Sequence, residues 1–591
     1  MTFFRTAFGC DLRSLALFRV GLGLVFLTDL LSRARDLRAH YTYFGVVPPP
    51  TGPESFIKAW VHHFIGDTWF QIGVFLFAGL MAMLFVIGYK TRFVTITCWG
   101  MLVFIQHQNW LVLQGGDTLL VVLFFWAIFL PLGARYSCDA AVDQTPSLQS
   151  PNEYFSMGTV AILLQVACLY FFSALLKTSP EWMPDGTALY YAMHMTAFVL
   201  PSGRWLLGFP VVMQGFTYFT WILELIGPLL LFSPWFFLPL RFSMVGFFVF
   251  LHLGIVAFMA VGLFPLVNLA SLILFIPPWC WERLTPLIQM SAQQGLTIFY
   301  DGDCEFCRKM CLLLKTFLIL PDVAILPAQE HPTVLDVMER DNTWVVHDAQ
   351  GGRHTRWDAM LLLVRHSPLF WPLAWVLSVS PLHTLGNKIY ALIATNRGRL
   401  SQWTGFALPY HRLELRHPPV IEWAVGLLAL YMVFINLTTL PQLPFSLSDP
   451  MAMVKQTIKL DQKWNMFAPH PRKYDGWFVM PGLLLDGTEV DVFNRRMQVP
   501  TLEDSSFAEY PYPTYRWRKY LQQLTLKKHV GHRKYLGAYL CRIWNEVHQP
   551  LQHLLFLKVY FVQVNTPPPG APPLPMEKLL ILDQSCLENS P

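Results

Sequence analysis

The chain has 591 residues, of which 54% are hydrophobic and only 14% charged. A soluble protein carries roughly a quarter charged residues, so a single soluble domain is excluded. The formal net charge of +5 comes without a dense Lys/Arg block, which argues against nucleic-acid binding.

Residues 15–31 form the first candidate membrane span and hold Arg19 and Asp29. No small-residue cleavage pattern follows, so this segment is expected to stay as a signal anchor. Residues 70–89 make a clean second span ending at Lys90 and Arg92, and 93–113 a third with Gln106, His107 and Asn109 near its end. Residues 117–132 are short for a bilayer and need local thinning or a buried start. Residues 157–176 follow, closed by Lys177. The apolar run 188–200 is too short to span and reads as interfacial. Residues 211–232 contain Glu224, 242–263 contain His252, and 266–281 end the block, giving roughly eight spans.

Residues 296–408 have alternating strand, turn and helix signals, as in a small α/β unit. Residues 420–440 read as one more span. A region of ordinary polarity occupies 455–565, and 566–591 read as a Pro-rich, extended tail. The fold class is therefore a polytopic α-helical membrane protein of about nine spans, with an inserted α/β domain and a C-terminal extramembrane region.

The most definite local chemistry lies at 296–311. An apolar, β-prone run ending at Tyr300 meets a turn of Asp301, Gly302 and Asp303, and Cys304 and Cys307 then open a helix-like run. A Cys-x-x-Cys in that context reads as a redox dithiol. A helix N-terminus, Arg308 and Lys309 favour a thiolate on Cys304, whereas Asp301 and Asp303 oppose one. Redox exchange is preferred to two alternatives. One is a metal half-site with Cys311 as third ligand, which lacks the second Cys-x-x-Cys that usually completes a zinc site. The other is a purely structural pair. Cys311 reads as a packing residue, or else as a second resolving thiol. The other cysteines are scattered, unlike a disulfide scaffold.

Ionisable groups inside a bilayer cost a few kcal/mol on insertion scales and need partners or a wet cavity. Arg19 and Asp29 do not share a helical face and are expected to pair with other helices, with Glu224 as the candidate partner of Arg19. His107, His252 and Lys177 mark a candidate functional cavity. Tyr170, Ser173 and Lys177 fall on one helical face. Spacing alone favours a Lys177 that snorkels to the interface; the alternative is a buried lysine acting as a base.

With eight spans before it, the dithiol stretch lies on the N-terminal side. Short loops there carry Lys90, Arg92, Arg135, Arg241 and Arg283, and the short opposite loops carry none. The longer opposite loops hold Arg33, Arg35, Arg38 and Lys58. The positive-inside rule then favours a cytoplasmic dithiol and an exported C-terminal region, in a bacterial inner membrane.

Two family resemblances rest on particular residues. Leu17-Phe-Arg-Val-Gly-Leu-Gly23, Tyr170-Phe-Phe-Ser-Ala-Leu-Leu-Lys177 with Trp182 and Gly186, Phe250-Leu-His252, Ala260-Val-Gly-Leu-Phe264 and Pro277-Pro-Trp279 recur in order. Over residues 10–285 they resemble the HTTM family, whose best-known member type is the vitamin K-dependent γ-glutamyl carboxylase. The resemblance implies that Lys177 matches the base that deprotonates reduced vitamin K, and that His107 approximately matches a supporting histidine. It implies a hydrophobic cavity for a quinone or a reduced vitamin K-like lipid. The large lumenal portion of the carboxylase is replaced here by different sequence.

Tyr300-Asp-Gly-Asp-Cys-Glu-Phe-Cys307, Pro372-Leu-Ala-Trp375 and Tyr390-Ala-Leu-Ile-Ala-Thr-Asn-Arg397 resemble the DCC family of thioredoxin-like thiol-disulfide oxidoreductases. That resemblance implies a thioredoxin-like domain with Cys304 as attacking thiol and Cys307 as resolving thiol. Gln462-Lys-Trp-Asn-Met-Phe-Ala-Pro-His-Pro471 looks like a motif of HTTM-type extramembrane segments and reads as a turn and docking surface. Together these features point to a membrane-bound thiol-disulfide oxidoreductase acting on a thiol or disulfide protein or peptide, with a quinone-type partner. A membrane factor for peptide or protein modification and a non-catalytic scaffold are the alternatives.

Overall fold

Apolar runs in a bilayer must satisfy their own backbone groups, and helices do so within one segment. The computed structural model describes residues 2–47, 66–145, 152–288, 295–494 and 512–587; Lys58 and the last four residues of the expected tail lie outside these. The bundle comprises α1 (Leu12–Ala34), α2 (Thr68–Ile87), α3 (Thr91–Gln108), α4 (Gly115–Ala127), α5 (Met157–Leu176), α6 (Pro210–Leu230), α7 (Phe237–Phe258), α8 (Phe264–Leu272) and α9 (Pro278–Ile288).

The expected count of about nine spans is not reached. Among the described residues five helices are long and apolar enough to cross, and six if α8 and α9, bent by 86°, count as one span. The expected spans not among these are α3, α4 and α6; α4 is 13 residues long and buried on every side from Leu119 to Ala127. It is a central packing element, and Gly116 is needed where a Cβ would come within 2.8 Å of the Phe264 backbone. Exposed tryptophans mark both ends of the bundle, Trp69, Trp110 and Trp205 at one and Trp235, Trp279 and Trp423 at the other, as interfacial anchors do.

The buried charges pair differently from expectation. Arg19 does not meet Glu224. Its guanidinium donates to the carbonyls of Leu132 (2.6 Å), Arg135 (3.2 Å), Val86 (3.3 Å) and Tyr136, capping chain that leaves α2 and α4 without helical partners. Arg33 is not a loop cation. It is buried in α1, bonded to Asp29 (2.8 Å), Asp117 and the Tyr41 hydroxyl (2.7 Å).

The inserted domain carries a four-stranded mixed sheet, ordered β2-β1-β3-β4, from β1 (Thr297–Tyr300), β2 (Ala324–Pro327), β3 (Val345–His347) and β4 (Arg353–Thr355). The β1–β2 pair is parallel and the others antiparallel. Helices α10 (Glu305–Phe317), α11 (Pro332–Asp341), α12 (Arg356–Arg365), α13 (Trp371–Leu377) and α14 (Ser380–Ala407) complete it. The chain then returns to the bundle as α15 (Pro419–Leu437), packed along α5 with Glu422 accepting the Met157 N–H at 2.6 Å.

The C-terminal region holds β5 (Tyr474–Val479), β6 (Pro481–Leu484), β7 (Glu489–Asp491), α16 (Tyr515–Leu524), α17 (Val530–Asn545), β8 (Leu554–Asn565) and β9 (Met576–Ser585). The strands form one five-stranded sheet. The expected Pro-rich tail is therefore corrected. After the prolines the chain pairs back as β9 against β8, and Cys586 is disulfide-bonded to Cys541 on α17. The domain is fixed to the bundle by Arg516, which pairs with Asp29 and with Asp117 (3.0 Å), completing a buried group of two arginines and two aspartates.

The segment expected to be a turn and docking surface enters the bundle itself. Gln462 and Gln165 of α5 exchange amide hydrogen bonds (2.6 and 3.2 Å). The Trp464 indole donates to Gln462 and the Trp126 indole to Gln165, and Leu460 and Trp464 join the bundle core.

Candidate functional site

Strand β1 ends at Tyr300, and the chain turns through Asp301 and Gly302 to deliver Cys304 to the N-cap of α10. Gly302 allows a close approach, since a Cβ would lie 2.7 Å from Gln329 Oε1, the atom that accepts the Gly302 N–H at 2.9 Å. Cys304 and Cys307 form a disulfide with Cα atoms 5.2 Å apart. Both are half-buried, and Cys304 Sγ accepts the Cys307 N–H at 3.3 Å. The free amides and dipole at this helix start stabilise negative charge on that sulfur.

The neighbouring charges are partly sequestered. Asp301 is engaged by Arg397 (3.6 Å) and by the Gln329 amide (3.0 Å), which offsets its opposition to a thiolate; Asp303 is exposed. Lys309 does not serve Cys304 as expected. It is fully buried, paired with Glu305 at 2.7 Å and donating to the Thr404 carbonyl at 3.2 Å. Arg308 lies over the Tyr410 ring. Cys311 is in the domain core, where burial pushes its thiol up to about 12, so it is a packing residue rather than a resolving thiol.

A second cluster lies inside the bundle. Lys177 does not snorkel outward; it is buried and pairs with Glu224 of α6, donates to Ser173 at 2.8 Å and stands 4.8 Å from the centre of the Trp182 ring. On the same face of α5, the Tyr170 hydroxyl lies 2.7 Å from His252 Nε2 and 3.2 Å from Asn268 Oδ1. Asn268 Nδ2 donates to the Phe264 carbonyl, so its oxygen must accept from Tyr170. His252 then donates through Nε2–H and presents the Nδ1 lone pair, which finds no partner among the described residues.

Residues 298–403 match the DCC1-like thiol-disulfide oxidoreductase family, and residues 9–280 match the HTTM domain. The chain joins an HTTM domain to a DCC1-like domain. No curated protein and no solved structure matches it. With its apolar helices, this is an integral membrane protein carrying a thiol-disulfide oxidoreductase domain.

Of the residues singled out in the HTTM domain, the structure brings Lys177 and Glu224 together and sets His252 about two turns of α5 away, at Tyr170. Arg19 is elsewhere, in its carbonyl cage. His107 is exposed at the end of α3 and joins no hydrogen bond of the cluster among the described residues; its neighbour Gln106 is the buried one, donating to the Asp117 carbonyl. Asn268 was not foreseen, because a single Asn in an apolar run is a weak signal. Lys177 caps the C-terminal end of the 20-residue α5, while Met157, at its other end, meets Glu422 beside the DCC1-like domain. At 1.5 Å per residue the two ends are ~30 Å apart.

Proposed function

We propose that the protein is a membrane-bound thiol-disulfide oxidoreductase whose Cys304–Cys307 dithiol exchanges electrons with a protein or peptide substrate and is recycled by a lipid-soluble, quinone-type carrier. The observation that carries the reading is the half-buried Cys304–Cys307 pair at a helix N-terminus in a DCC1-like domain. In the reducing direction the Cys304 thiolate attacks a substrate disulfide and one substrate sulfur leaves as a thiol. Cys307 then attacks Cys304 Sγ, releasing the second thiol and closing the disulfide. Two electrons and two protons have passed to the substrate, and a quinol returns two of each as it becomes quinone. Run backwards, the same steps oxidise substrate thiols.

Two features support a carrier in the HTTM domain. A bilayer-facing groove of about 770 Å³ runs between α6 and α7, lined by Phe216, Phe219, Phe247 and Phe250 with Gly215 and Gly246. The same two helices bear Glu224 and His252. Lys177 and His252 Nδ1 would bind the carrier's oxygens, and the separation from the dithiol calls for a diffusing carrier rather than direct contact. A photoreactive quinone should label peptides from α6 or α7, and His252→Ala should weaken its binding roughly tenfold by removing one buried hydrogen bond. Absence of labelling would remove the quinone assignment and leave the dithiol chemistry intact.

One observation favours a second reading, a factor that modifies a peptide or protein. Lys177 contacts Glu224, so it could act as a base after passing its proton to that carboxylate. Glu224→Gln should then abolish any Lys177-dependent modification while leaving disulfide exchange unchanged; loss of both activities together would count against it.

The dithiol is proposed to face the cytoplasm and the C-terminal domain the exported side. The Cys541–Cys586 disulfide, in the domain on the far side of span α15, supports this, because such bonds persist in oxidising compartments. An impermeant maleimide applied to intact cells should label Cys541 and Cys586 after reduction, and Cys304 only after permeabilisation. The reverse pattern would invert the topology.

A further inference from the structure

We infer that the DCC1-like domain has its own membrane-seating surface, the outer face of α13 and α14, which lies in the headgroup–acyl boundary of the bilayer. This surface is independent of the redox reading above. On α14 the inner face is set by Gly386 and Thr404, which are buried. A flanking face exposes apolar side chains at helical spacing, Leu385 (50%), Ile389 (46%) and Leu392 (66%) near one end and Trp403 (67%) and Phe406 (86%) near the other, with Asn396 and the exposed Arg399 between the two groups. Helix α13 extends it with Trp371 and Trp375, the latter 73% exposed. Soluble domains rarely gather several large exposed apolar side chains on one face without a partner for them.

Three observations select lipid as what covers it. The Phe406 end of the row adjoins the bundle. The α14 terminus is fastened there by the Tyr89 hydroxyl, which donates to the Ala407 carbonyl at 2.6 Å, and by a bridge between Asp143 and His411. Tryptophans with adjacent aliphatic residues are the composition of an interfacial segment. Finally, residues 359–413 contain no Asp or Glu but carry Arg365, Lys388, Arg397, Arg399 and Arg412, a charge balance suited to an anionic lipid surface. Arg397 and Thr404 of α14 also hold Asp301 and Lys309, so seating α14 places the Cys304–Cys307 loop beside the membrane.

The test uses the full chain with Cys304 and Cys307 replaced by serine, in nanodiscs of equimolar phosphatidylcholine and phosphatidylglycerol. Spin labels are placed one at a time through Trp375→Cys, Leu385→Cys, Leu392→Cys and, as a control on α11, Arg340→Cys. The first three labels are expected to collide with oxygen in preference to a water-soluble nickel chelate, and the control to do the opposite. Equal chelate access at all four positions would overturn the inference. Spin–spin broadening at 375, 385 or 392 that disappears when labelled protein is diluted with unlabelled protein would also overturn it, by assigning the face to a second copy of the chain.

Discussion

Cys304→Ser is expected to reduce disulfide exchange to the uncatalysed background, a fall of at least about 100-fold, because the attacking group becomes a hydroxyl that is not ionised at neutral pH. Insulin reduction by the purified full-length protein reads this directly. Cys307→Ser should behave differently. With the resolving thiol gone, the Cys304–substrate mixed disulfide accumulates and can be isolated on non-reducing gels. Cys311→Ser should leave exchange nearly unchanged, since that thiol is in the core and held protonated by burial. A Cys304→Ser protein as fast as the wild type would sink the assignment of the dithiol as the reactive centre.

The second large effect is structural. Arg33, Arg516, Asp29 and Asp117 balance their charges in a site where none has appreciable access to water. Neutralising one member strands a buried charge, which costs about 3–5 kcal/mol. Asp117→Asn should therefore lower thermal stability in detergent sharply and free the C-terminal domain for proteolysis. Asp29→Asn combined with Arg516→Met removes opposite charges together and should cost less than the sum of the two single changes. If Asp117→Asn cost under about 1 kcal/mol, the range of an exposed pair, the group would not be the anchor between domain and bundle.

Local chemistry was readable from the sequence, and partner choice was not. The strand–turn–helix around Cys304 is set by neighbours within a few residues, so its form and the helix start were legible. Lys177, Ser173 and Tyr170 share a face by helical spacing alone, as found. What lies opposite that face depends on how helices pack, and apolar runs do not encode it. Glu224 therefore went to Lys177, and Arg19 went to backbone carbonyls, acceptors that every residue carries. Nothing in the polar helix around Arg516 marks it out, and its partners Asp29 and Asp117 lie hundreds of positions earlier. Cys541 and Cys586 looked scattered because β9 brings them together only after a proline-rich excursion. The span count failed at α4, where tertiary burial replaces lipid.

The amide pair between Gln165 and Gln462 has a consequence for biosynthesis. Helix α5 leaves the ribosome nearly 300 residues before the segment that fills the space beside it. Until then the Gln165 amide has only the Trp126 indole as a partner, and the HTTM domain is an unfinished assembly awaiting its last wedge. A truncated chain ending before residue 458 is thus a natural client for insertion chaperones and quality-control proteases, even though it contains every residue of the HTTM match.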